Sequence, residues 1–164
     1  VWQHSCIEKD QTYQKAGYTK QIWDYSVDFT GPSDRARSEE RLARQRVPLF
    51  AKQNLLDLKE LLVECPELTV VAVNQGPHSL ERYLRPLLDR YPRLHLETSG
   101  LLVEGLIEEF CERYGPERLL FGSGFPDQCA GGALLRLAQA DIGETARAAI
   151  AGANLERLLG EVIL

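Results

Sequence analysis

The chain has 164 residues, 44% of them hydrophobic, 26% charged and 8% aromatic, a composition that excludes disorder and allows one real core. Its net charge of −5, from 24 acidic and 19 basic residues, supplies no global positive field for nucleic acid or an anionic membrane surface. The length is also well short of the roughly 250 residues that a closed eight-stranded α/β barrel uses.

No window approaches the ~18 consecutive apolar residues of a membrane-spanning helix, and the polar opening Val1-Trp2-Gln3-His4-Ser5-Cys6 lacks a signal-peptide core. A cytoplasmic protein is expected. Cys6, Cys65, Cys111 and Cys129 form no CxxC pair and read as reduced, packed thiols. The absence of methionine suits either an initiator trimmed before Val1 or a chain that begins internally in a longer product.

Residues 1–45 are polar and irregular, an expected N-terminal arm or lid punctuated by Gly17, Gly31 and Pro32 and carrying both tryptophans. Within it, Trp23 to Phe29 alternates apolar or aromatic with polar residues, as a half-exposed strand does. Ser33 or Asp34 then offers a cap for a solvated helix from Arg35 to Arg44.

From residue 46 to 164 the pattern becomes regular. Short apolar runs at 47–51, 68–73, 94–98 and 118–122 recur about every 25 residues, and amphipathic helices are expected at 53–64, 79–91, 103–114, 130–140 and 143–159. Strands alternating with helices in short units imply parallel strands joined by right-handed crossovers. Each helix is stopped by similar chemistry, Cys65-Pro66-Glu67, Tyr91-Pro92-Arg93 and Tyr114-Gly115-Pro116, because proline cannot continue a helix. The fold class is α/β with four consecutive βα units.

In a parallel sheet a site forms where the strands end. Here those ends carry Ala51-Lys52-Gln53, Asn74 to His78, Glu97-Thr98-Ser99-Gly100 and Ser123-Gly124-Phe125-Pro126-Asp127. Glu97, Asp127 and His78 are the candidate acid–base groups, with Asn74, Ser123 and Gly124 as candidate substrate contacts. Each has a plainer reading. Ser79 is a good N-cap, which leaves His78 facing solvent ahead of a helix. Asp127 is placed to cap the helix from Ala130, and Glu97 to join a buried network with Thr98, Ser99 or Arg118. His95, mid-strand among apolar neighbours, reads as a packed or hydrogen-bonded imidazole. Gly122-Ser123-Gly124 fits neither a nucleophile elbow nor a P-loop.

Four stretches carry a resemblance: Val70-Val71-Ala72-Val73-Asn74; Tyr91 to Ser99; Pro116 to Pro126 with its Gly-Ser-x-x-Pro turn; and Gly152-Ala153-Asn154-Leu155-Glu156-Arg157-Leu158-Leu159. Over 47–164 the chain resembles the second half of an amidohydrolase-related, metal-dependent (β/α)8 TIM barrel, strands five to eight and the terminal helix. The resemblance implies metal-ligating histidines at the ends of strands five and six and an aspartate in the Gly-Ser-Asp-x-Pro turn, which together activate water. The matching positions here hold Phe50 or Ala51, Asn74 and Gly124, none of them a usable metal ligand. No His-x-His pair is present either. A divalent metal such as zinc would need displaced ligands, for which His78, Asp127 and Glu97 are the available set.

Two functions follow from the resemblance. One is an amidohydrolase-related hydrolase, lyase or decarboxylase, or a fragment of one, acting on a small polar or carboxylated substrate through Glu97 and Asp127. The other is a catalytically degenerate barrel that binds a small ligand or scaffolds. In both, the rest of the barrel is expected from the same longer chain or from a partner, a second copy of this chain included.

Overall fold

A computed structural model describes residues 40–51 and 55–163. The strand expected at 23–29 and the start of the helix expected from 35 lie outside the described residues; residues 40–44 are helical. Four strands follow: β1 (Leu49–Ala51), β2 (Val70–Ala72), β3 (Leu94–Glu97) and β4 (Leu119–Leu120). They form one parallel sheet in the order β1-β2-β3-β4. Sequential parallel order is what right-handed βα crossovers produce.

The connecting helices stand close to their expected places. Helix α1 is Leu55–Glu64. Helix α2 runs from Pro77–Ser79 through a π-helical turn, Leu80–Leu84, into Arg85–Arg90. Helix α3 is Leu106–Tyr114, α4 is Ala130–Gln139, and α5 runs from Glu144–Ala148 through a second π-helical turn, Ala149–Ala153, into Asn154–Gly160. One boundary differs from expectation. Gly76 stands at the N-cap of α2, with Pro77 at the first helical position, so Ser79 lies inside the helix rather than capping it. Proline's fixed φ suits that first position and it has no N–H to lose.

Strand alternation sorts the side chains into two layers. Leu49, Ala51, Val70, Ala72, Leu94, Leu96 and Leu119 pack against Leu58, Leu61 and Leu62 of α1, Leu80, Leu84 and Leu88 of α2, and Phe110 of α3. The other face gathers Phe50, Val71, Val73 and Leu120 around Leu158 of α5. His95 pairs in register with Val71, and Glu97 with Leu120, so both belong to this second, inner row.

Two polar side chains tie the N-terminal end of the sheet. Arg118 donates from Nε and Nη2 to the Leu94 carbonyl, from Nη2 to Tyr91 and from Nη1 to Leu88, at 2.8–3.0 Å. It therefore satisfies carbonyls left open where α2 ends and β3 begins, and does not reach Glu97. Asn154, buried, donates from Nδ2 to the carbonyls of Pro116 and Leu119, both at 2.8 Å. With Ile163 N–H donating to the Gln45 carbonyl, these bonds lay the end of α5 across the inner side of the strand starts. At the edge of β4, Phe121 N–H donates to the Ile150 carbonyl, freed by the π-helical turn. Among the described residues no helix is long and apolar enough to cross a membrane.

Candidate active face at the strand ends

Glu97 closes β3 and is buried. A buried carboxylate costs free energy unless its oxygens are hydrogen-bonded. Ser99 N–H donates to Oε1 at 2.7 Å, while Ser99 Oγ–H at 2.5 Å and Asn74 N–H at 3.2 Å donate to Oε2. The tight turn Thr98–Gly100 returns Ser99 to the carboxylate of the residue two before it, as an N-cap side chain does. Beside it, Thr98 Oγ1 both donates to the Gly122 carbonyl and accepts from the Gly122 N–H, at 3.1 and 3.0 Å. The two chain ends after β3 and β4 are thus held together by a closed set of bonds.

Asn74 is exposed, with φ of 55°, in the left-handed region that asparagine tolerates better than most residues. Gly124 has φ of 69°. A β-carbon there would stand 3.0 Å from the Gln128 side chain and 3.2 Å from Ser99, so this glycine faces the same small space as Asn74. Gln128 bridges the two loops. Its backbone N–H donates to the Gly124 carbonyl at 2.9 Å, and Nε2 donates to Asn74 Oδ1 at 3.5 Å. Ser123 Oγ accepts from Phe125 N–H at 3.2 Å, ahead of a cis Phe125–Pro126 peptide.

Of the six residues singled out from sequence, the structure brings Asn74, Glu97 and Gly124 together through Ser99 and Gln128. His78 and Asp127 are exposed, and Ser123 is half-buried, its hydroxyl turned to its own loop. Sequence reasoning missed Gln128. Its signal was present in the spacing Gly124 to Gln128, one turn apart after a strand end, but no motif names it.

The donor set can be tested against the divalent metal that the resemblance implies. Asn74 offers a neutral amide whose oxygen already accepts from Gln128, Gly124 offers nothing, and both oxygens of Glu97 are engaged. No group of three or more His, Cys, Asp or Glu side chains among the described residues is arranged to hold a metal ion. The set does not fit a zinc-like centre, which wants three or four anionic or imidazole donors.

One titratable group lies deeper on the same face. Burial pushes the His95 imidazole down to about 4, the Arg93 carbonyl opposes this by accepting from Nδ1 at 3.0 Å, and Arg157 and Arg118 lower it further. His95 is therefore neutral at pH 7 and belongs to the core. A cleft of about 390 Å³ lies elsewhere, between Leu62, Val63, Pro66, Tyr91, Pro92 and Arg93, at the turns that precede the strands.

Comparison with known proteins places this arrangement. The sequence model of the family described as Amidohydrolase matches residues 28–160. The chain belongs to the amidohydrolase family. Solved structures agree on the fold. An uncharacterized TIM-barrel protein from Bordetella bronchiseptica aligns with a TM-score of 0.64 at 20% identity, over 79% of this chain and 51% of its own. An amidohydrolase 2 from Bifidobacterium longum subsp. infantis gives 0.60 at 19%, over 79% and 56%. An amidohydrolase from Burkholderia multivorans gives 0.57 at 17%, over 78% and 58%. This member thus spans about half the length of those chains, and its four parallel strands are a partial barrel. No curated protein matches the sequence.

Proposed function

We propose that this amidohydrolase-family chain binds a small polar molecule at the C-terminal ends of β2, β3 and β4, and that these strand ends build no metal centre. The observation that carries the reading is the state of Glu97. Glu97 is buried, and three of its roughly four acceptor sites are taken by Ser99 N–H, Ser99 Oγ–H and Asn74 N–H, so the carboxylate is committed to its own loops. Glu97 is a positioning residue: it fixes the backbone from which the Asn74 side chain projects. Asn74 and Gln128 then offer amide groups, which suit recognition by hydrogen bonds. The rest of a barrel, in the same longer chain or from a partner chain, supplies the other wall of the site. This is the ligand-binding reading of the sequence, preferred to water activation by Glu97 and Asp127.

Metal analysis of the purified protein tests it. The expected result is well under one metal ion per chain and a thermal midpoint unmoved by chelator. Stoichiometric zinc, manganese or iron that is lost in Asp127→Ala overturns it.

A further inference from the structure

The outer edge of β4 can be read from the direction of its backbone groups, which must be paired with something when a strand edge is covered. Val70 N–H donates to the Arg93 carbonyl at 3.1 Å, so alternate residues of β3, 93 and 95, turn to β2, while Leu94 and Leu96 turn to β4. Leu96 stands level with Leu119 and therefore pairs with the residues on either side of it. The Leu119 carbonyl and the Phe121 N–H point away from the sheet.

Both of these groups are taken by α5. Asn154 Nδ2 donates to the Leu119 carbonyl at 2.8 Å, and the Ile150 carbonyl accepts from Phe121 N–H at 2.9 Å. A parallel strand added at this edge supplies the same two groups from a single residue, an N–H to residue 119 and a carbonyl to residue 121. The side chain of that residue stands level with Leu120 in the inner row, where Leu158 of α5 packs instead. Helix α5 thus holds both the hydrogen-bonding and the packing place of one strand residue.

The opposite edge of the same sheet carries a residue that fits this place. Leu49 N–H donates to the Thr69 carbonyl and the Ala51 carbonyl accepts from Val73 N–H, at 2.8 and 3.0 Å, so Leu49 and Ala51 face β2. Phe50, between them, directs its N–H and carbonyl to the outer edge of β1, and its side chain lies in the inner row with Leu120. Phe50 of a second copy matches Leu119 and Phe121 in hydrogen-bond direction and Leu120 in face. Added there, β1 of that copy continues the parallel order after β4, and two four-stranded sheets joined at both edges make the eight strands of a barrel.

We infer that α5 is an edge strap, which occupies the outer edge of β4 and shuts out the β1 strand of a second copy of this chain. Covering a sheet edge with a helix prevents strand addition. The inference is independent of what the strand ends bind.

The test follows association and backbone exchange together on the whole chain. In the parent, hydrogen exchange at Phe121 should be slow and independent of protein concentration, because its partner is in the same chain. Asn154→Leu removes the donor to Leu119. Deletion of Ala151 takes one residue out of the π-helical turn, so that Ile150 and Asn154 no longer face β4 together. In dilute solution both variants should exchange Phe121 at least about tenfold faster, the weight of one hydrogen bond. Raising the concentration about a hundredfold should double the mass by light scattering and slow exchange at Phe121 and Phe50 together. The Val70 amide, central in the sheet, reports that the strands are intact. A variant with Val70 still protected that stays monomeric at every concentration overturns the inference, as does association that leaves Phe50 exchange unchanged. A parent that itself dimerises with concentration-dependent protection of Phe50 overturns it too, since α5 then excludes nothing. Loss of Val70 protection in both variants makes α5 part of the core rather than a strap, and counts against the inference equally.

Discussion

The carboxylate of Glu97 fills the space that a side chain at Gly122 would need. A β-carbon built on Gly122 would stand 1.5 Å from Glu97 Oε1 and 2.1 Å from its Cδ. Gly122, two residues past β4, is therefore the counterpart of the glutamate ending β3, and the pair explains why the bulky run 119–121 is followed by glycine. Gly122→Ala must displace a buried, hydrogen-bonded carboxylate and should cost about 2–3 kcal/mol, as overpacking does. Urea unfolding of Gly122→Ala, Glu97→Ala and the double variant checks this. The double variant should lose little more than Glu97→Ala alone, because the clash vanishes with the carboxylate. Additive losses would show that Gly122 is constrained by something else.

Asn154 gives the Gly152-Ala153-Asn154 stretch its physical meaning. Its Nδ2 donates both of its hydrogens, to Pro116 and Leu119 carbonyls on either side of the start of β4. Asn154→Asp keeps the shape and removes the donors, placing a carboxylate against two carbonyl oxygens. The expected loss is about 3 kcal/mol or more by chemical denaturation, since buried acceptors lose partners and a charge is left unanswered. Arg157 Nη2, on the same helix, donates to the Glu117 carbonyl from an exposed position. Arg157→Ala should therefore cost well under half as much.

The pH dependence of stability should carry the mark of His95. Its folded-state value, about 4, lies below the ordinary 6.5, so the unfolded chain takes up a proton before the native protein does. Stability from this group is complete above pH 6.5 and is lost as pH falls towards 4, by about 3 kcal/mol. His95→Gln cannot titrate and should flatten this part of the profile. Denaturant melts at pH 7.5, 6.0 and 4.5 provide the comparison, and parallel profiles for the two proteins would count against the assignment.

How far the sequence foretold all this can be read residue by residue. The helices at 55–64, 106–114 and 130–139 and the sheet order were legible because apolar periodicity and proline stops are local signals. The start of α2 was missed because two capping signals compete two residues apart, and Pro77 at the first helical position outranks Ser79 as a cap. Glu97 was singled out, with Ser99 as a candidate donor, yet its third bond comes from Asn74, 23 residues away. Gln128 was passed over for a similar reason. Its partner Asn74 is 54 residues distant, and nothing in either local sequence states that their loops meet.

That meeting point yields a gain-of-function test. If Asn74 and Gly124 occupy the positions where related barrels place a histidine and an aspartate, restoring those side chains should rebuild part of a metal site. Both positions have positive φ, 55° and 69°, a region in which histidine and aspartate are less disfavoured than most residues, so Asn74→His keeps a tolerated backbone and Gly124→Asp adds some strain. The crowding at Gly124 is with the flexible Gln128 side chain and the Ser99 β-carbon at 3.0–3.2 Å, which a small shift relieves. Asn74→His with Gly124→Asp supplies one imidazole and one carboxylate on adjoining loops, both good zinc donors. Dye-competition titration should show zinc bound at least about tenfold more tightly than by the parent chain, with each single variant intermediate. No gain in the double variant would mean that the side chains of residues 74 and 124 do not converge, and the placement of the strand ends would have to be redrawn.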